Sequence, residues 1–185
     1  MKIVVNPQIY LSEFEPSDQA ACVKHFKEKE IYDHTLRIPF PYTEAHFQEW
    51  LQIVEKTTQQ QGRTVQWAIR NEEGSLIGGC GFHDFQLGES HRAEIGYWLA
   101  KPYWGRGIMT AVVRTLCELA FAEFGLVKIV AHVFAENPAS ARVLEKCGFE
   151  QEGYLRKHHL KDKHFVDARL FSLLKDGLQI ELVSL

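Results

Sequence analysis

Apolar residues Phe47, Trp50, Leu51 and Val54 recur at helical spacing, which predicts an amphipathic helix opened by Thr43 as N-cap and ended before Gly62. Upstream, Ile9–Phe14 reads as a strand. Pro16, Ser17 and Asp18 then start a helix bearing Ala21, Cys22, His25 and Phe26. Prolines at 39 and 41 forbid helix through Ile38–Tyr42, which is therefore extended. From Val65 the period changes to that of strands: 65–70 and 76–82 flank the turn residues 71–74, and 92–100 follows as a third strand. After a break at 102–107, Val112, Leu116, Leu119, Ala120 and Phe124 mark a long helix closed by Gly125. A strand at 127–134, a short helix at 138–147 stopped by Gly148, and strands at 149–155 and 165–174 complete the chain. An antiparallel meander followed by β-α-β and α-β-β is an α+β fold of mixed α/β layers, not a doubly wound sheet.

The 185 residues suit a single domain spanning 1–185. With 45% hydrophobic and 24% charged residues the chain is globular rather than disordered. A formal charge of -3 argues against a nucleic-acid or membrane-surface protein. No apolar run approaches the roughly 18 residues of a membrane span, and the start lacks a secretory pattern, so a cytoplasmic location is expected. Cys22, Cys80, Cys117 and Cys147 stand far apart among apolar neighbours, as reduced core cysteines do.

Chemistry concentrates in two segments. In the first, a strand ending in Trp98, Leu99 and Ala100 leads through Gly105, Arg106 and Gly107 into the helix that opens with Ile108, Met109 and Thr110. Glycines allow a tight turn, and the free amides of a helix start suit a phosphate or pyrophosphate, to which Arg106 would add charge. The same turn also reads as a plain strand-to-helix connection. It is neither a Walker loop, lacking Gly-Lys-Ser/Thr, nor a dinucleotide fingerprint, lacking the third glycine. In the second segment, Asn137 precedes Pro138 as an N-cap does, and Ser140 lies in the first helical turn. Both could also face the ligand of the glycine loop.

Taken together, Glu94–Leu99 with Tyr103–Thr110, and Asn137–Phe149 with Glu152 and Gly153, resemble the two signatures of GNAT-superfamily N-acetyltransferases, in the RimJ/RimL-like ribosomal-protein branch. The resemblance covers roughly Ile9 to Leu174. It implies a GNAT-like sheet splayed at two parallel strands, with helices on both faces. It also implies acetyl-CoA as co-substrate, with no metal. The main chain of Trp98, Leu99 and Ala100 would pair with pantetheine, the amides from Gly105 to Thr110 would hold pyrophosphate, and Asn137 would bond pantetheine. Ser140 would lie near the sulfur and serve the departing thiolate. Trp104 and Met109 depart from the superfamily pattern of Arg or Gln and of a small residue at those places.

Glu94 falls on the same strand face as Gly96 and Trp98, either as a general base or as a solvent-facing residue. The basic segment 156–164 reads either as a solvated loop between the last strands or as an acceptor-side wall with His159 as base. Its histidines 158, 159 and 164 do not match zinc spacing. His83, His91 and His132 have no spaced partners and read as structural or surface residues. Tyr32, His34, Phe40 and Tyr42 would line the acceptor side, or simply pack an extended segment. The expected partner is an amine acceptor, a protein N-terminus first and a small amine second, with a silent acyl-CoA-binding domain as the other class. Either a monomer or a homodimer suits the pattern.

Overall fold

In the computed structural model, which describes residues 2–88 and 90–175, the strands are β1 Ile3–Asn6, β2 Ile9–Ser12, β3 Gln66–Asn71, β4 Leu76–Gln86, β5 Arg92–Leu99, β6 Lys128–Phe134, β7 Glu150–Lys161 and β8 His164–Leu174. The helices are α1 Gln19–His25, α2 Lys29–Asp33, α3 Glu44–Gln61, α4 Ile108–Glu123 and α5 Pro138–Lys146. The ends of the 1–185 expectation, Met1 and residues 176–185, lie outside the described residues.

The strands form one sheet in the order β1-β2-β3-β4-β5-β6-β8-β7. Strand alternation divides the apolar residues between its two faces. Trp67 and Ile69 of β3, with Ala93 and Ile95 of β5, are buried together with Val112, Leu116 and Ala120 of α4 and Leu144 of α5. Ala68 between them turns the other way, toward Cys22, Ile31 and Phe47 of the first three helices, with Trp98 packed against that group. Gly79 admits this arrangement: a Cβ there would stand 2.5 Å from the Trp98 indole nitrogen. Buried Asp18 receives both terminal nitrogens of the Arg70 guanidinium at 2.8 Å, tying the start of α1 to β3.

The Thr43 cap is present, its hydroxyl accepting from the His46 amide, and Gly62 ends α3 in the left-handed conformation. Three readings are corrected. The opening strand is a hairpin, β1 with β2, turned at Asn6, whose side chain accepts from the Gln8 amide. Tyr32 and His34, read with an extended segment, instead lie in and just after the short helix α2. The basic segment 156–164 is no loop: β7 and β8 run through it and turn at Asp162 and Lys163. Sequence alternation failed there because β7 carries a bulge. Leu155 pairs with Ala168 and His159 with Val166, so three residues oppose one, with Lys157 at φ 51°.

The parallel pair β5–β6 positions the site. It is in register only at Arg92–Lys128, Ala93–Ile129 and Glu94–Val130. Beyond that point β5 stays with β4 and β6 with β8, so the two strands fork.

Candidate active site

At the far end of the fork, Gly107 caps α4 at φ 74° with no side-chain hydrogen bond, and Gly105 has φ 73°. A Cβ at either glycine would meet nothing within 4 Å, so the requirement is conformational and leaves the approach to the helix start open. Ala111 is the first amide to bond back, to the Gly107 carbonyl. The amides of Ile108, Met109 and Thr110 are thus the free donors of a 16-residue helix, at its positive end. Met109 turns its side chain into the core, 7% exposed, so its bulk does not obstruct the turn. The Arg106 guanidinium lies 5.5 Å from the Tyr103 ring centroid. Of the main-chain groups at the end of β5, the Leu99 carbonyl accepts from the Trp104 indole at 2.7 Å and the Ala100 amide donates to Ile77.

Across the fork, the Asn137 side chain accepts from the Ser140 amide at 3.1 Å, which makes it the N-cap of α5. The Ser140 hydroxyl is 2.9 Å from the Tyr97 hydroxyl. Burial pushes the Tyr97 phenol upward in pKa, keeping it protonated and able to donate. Tyr97 belongs to β5 and Ser140 to the first turn after β6, so this bond spans the gap. Sequence reading missed Tyr97; its strand position two residues beyond Ile95, on the α4 side, was the available signal.

Near the branching point Glu94 is held by two histidines. His132 Nδ1 lies 3.0 Å and His83 Nε2 3.6 Å from its Oε1. Burial opposes the charge on Glu94, but these imidazoles outweigh it and hold the carboxyl well below the usual carboxylate range. The reading of His83 and His132 as residues without partners is therefore corrected. His83 is the register partner of Glu94 on β4, and His132 lies two residues past Val130, the partner of Glu94 on β6. The β7 bulge brings both His158 and His159 to this group. The His158 ring stacks on His132 at 4.9 Å, and His159 stands 6.1 Å away. Burial, then the neighbouring His158 and His132, push the His159 pKa down.

Of the acceptor-side residues, Tyr32 donates to Asp162 at the hairpin tip, and the Lys161 ammonium lies 3.5 Å over the Tyr32 ring and bonds the Thr35 carbonyl. Phe40 is exposed and packs 5.3 Å from Tyr32; His34 is exposed on the same segment. Tyr42 turns inward against Phe26. The structure thus joins Tyr32 to the β7–β8 tip with Phe40 beside it, and leaves Tyr42 half-buried against the core. A separate hollow of about 570 Å³ lies over Arg70, Asp18 and His25; its lining reaches Tyr103 but includes none of Glu94, His132 or Ser140. Among the described residues no group of His, Cys, Asp or Glu is arranged to hold a metal, and no helix is long and apolar enough to cross a membrane.

Residues 8–150 match the family described as acetyltransferase (GNAT) domain. The uncharacterized N-acetyltransferase YoaA of Bacillus subtilis is 37% identical over 118 residues, which are 63% of this chain and 66% of that protein. The uncharacterized N-acetyltransferase p20 of Bacillus licheniformis is 27% identical over 95% of this chain and 97% of its own length. Among solved structures, RimL, a ribosomal L7/L12 alpha-N-protein acetyltransferase in complex with coenzyme A, superposes with a TM-score of 0.84 at 18% identity, over 95% of this chain and 99% of that one, a likeness of fold.

Proposed function

Because the chain belongs to the GNAT acetyltransferase family, we propose that it moves an acetyl group from acetyl-CoA to a protein N-terminal amine. The observation that carries this reading is the β5–β6 fork continuing to the uncapped start of α4. Strands that part after three residue pairs leave room for an extended ligand arm, and free helix amides fit its pyrophosphate. The amides of Ile108, Met109 and Thr110 hold the phosphates, with Arg106 beside them. Main-chain groups from Trp98 to Ala100, and Asn137, line the arm. The Ala100 amide bonds Ile77, and Trp98, opposite Gly79 two residues along the same ladder, is paired to β4 as well, so Leu99 carries most of that contact through its amide and the second lone pair of its carbonyl. Acetyl-CoA supplies the activated acyl group. Ser140, steadied by Tyr97, stands as the proton donor to the leaving sulfur.

The acceptor class follows from charge. Segment 156–164 of the hairpin, whose tip meets Tyr32, carries Arg156, Lys157, Lys161 and Lys163 against Asp162. Such a wall repels a polyamine and suits a peptide whose first residues are acidic. RimL, whose fold is shared, is described as a protein α-N-acetyltransferase, which supports the same acceptor.

Thermal unfolding with and without acetyl-CoA tests the donor site. Saturation at a hundredfold excess over Kd adds about 2.7 kcal/mol to stability. Thiol release is then compared for acidic N-terminal peptides and for spermidine. Faster turnover of the peptides is expected; turnover of spermidine alone would replace the protein acceptor with a small amine, and no thermal shift would remove acetyl-CoA.

A further inference from the structure

Resting on the acetyltransferase reading, we propose that His132, oriented by Glu94, is the group that takes the proton from the acceptor amine. The placement is geometric. His132 and Glu94 stand on adjacent parallel strands, on the same sheet face, at the point where those strands separate. The carboxylate oxygen 3.0 Å from Nδ1 favours the tautomer with hydrogen on Nδ1. That tautomer leaves the Nε2 lone pair as acceptor, and among the described residues Nε2 has no hydrogen-bond partner. The arrangement repeats the general logic of a base held by a carboxylate.

Glu94 is itself a poor proton acceptor, being held ionised by His132 and His83. Its part is positioning. Around His132 stand Glu94 of β5, His83 of β4, and His158 and His159 of β7, with Arg37 near His159. His159 packs 5.7 Å from Phe134 and lies farther from Glu94's grip, so it borders the base rather than replacing it.

An ammonium acceptor gives one proton to Nε2, making imidazolium and a free amine. The amine nitrogen bonds the acyl carbon, the carbon–sulfur bond breaks as Ser140 gives its proton to sulfur, and the second displaced nitrogen proton restores the serine hydroxyl. The imidazolium, stabilised while it lasts by the Glu94 carboxylate, returns its proton to water.

Two measurements test this. In the ligand-free protein at alkaline pH, nitrogen NMR of labelled histidines should find the His132 hydrogen on Nδ1, a preference lost in Glu94→Gln; hydrogen on Nε2 in the parent protein would overturn the assignment. In steady-state kinetics with the parent's best amine, His132→Gln should lower kcat/KM about a hundredfold or more and move the acid limb of the pH profile up to the amine's own ionisation. Glu94→Gln should lower kcat with little change in the amine KM, and His159→Gln should keep the acid limb. Should His132→Gln not fold, Glu94→Gln and the tautomer decide. An acid limb that stays at the parent's position in His132→Gln, or moves only in His159→Gln, overturns the assignment alone. A parent protein that releases no thiol with any amine overturns the acetyltransferase reading, and the catalytic assignment with it, even where the tautomer is as expected.

Discussion

Ser140 and Tyr97 share one hydrogen bond between β5 and the first turn of α5. If the serine supplies the sulfur's proton, Ser140→Ala lowers kcat by about ten- to a hundredfold, below the usual ceiling for a general acid because water can substitute. Tyr97→Phe keeps the ring's packing and removes only the hydroxyl, so it should lower kcat less while leaving the acetyl-CoA Kd near that of the parent. Thiol-release kinetics on both variants checks this; unchanged kcat in Ser140→Ala would take the role away. Ser140 was legible because it lies in a local motif. Tyr97 and His132 were not, since each gains its meaning from a partner on another strand. Glu94 shows the same limit: its face followed from alternation, but its state is set by histidines at 83 and 132, contributed by β4 and β6.

At the scale of elements, the glycine turn and the bulged hairpin pull in opposite directions for a sequence reader. Gly107 announces itself, because φ 74° is a conformation that residues bearing Cβ resist. With open space around a would-be Cβ, Gly107→Ala should cost about 1–2 kcal/mol of backbone strain alone. At roughly 2–4 °C per kcal/mol for a chain of this size, melting should fall by several degrees, with weaker acetyl-CoA binding measured calorimetrically. An unchanged Kd would separate the turn's conformation from its proposed ligand. The hairpin could not be read in this way. Its charged, histidine-rich stretch has the composition of a loop, yet Asp167 accepts from the Lys157 amide at 2.7 Å and from Tyr154, stabilising the bulge through side-chain bonds that composition does not reveal.

For the whole molecule, burial decides the response to acid. His25 donates from Nε2 to the Leu76 carbonyl, 3.0 Å away, and desolvation lowers its pKa in the fold. His159 is lowered likewise. Below the ordinary histidine value of 6.5 the unfolded chain therefore binds protons that the folded chain refuses, so stability falls as pH drops through that value. Glu94 is depressed as an acid, so its contribution is present above the ordinary 4.5 and is lost on further acidification. Melting should be lower at pH 5.5 than at pH 7.5 and decline again below about pH 4.5, as a calorimetric pH series would record. A melting point flat from pH 7.5 to 5.5 would contradict the histidine assignment.

The fork between β5 and β6 also bears on how long the protein lasts. A sheet normally closes its ladder with peptide; here, on the proposed reading, part of that ladder is completed by a metabolite. Each tenfold rise of free acetyl-CoA above Kd then adds about 1.4 kcal/mol to the folded state. Under acetyl-CoA scarcity, the same chain would open more often and meet proteases sooner, so its abundance would follow nutrient supply without any change in its synthesis.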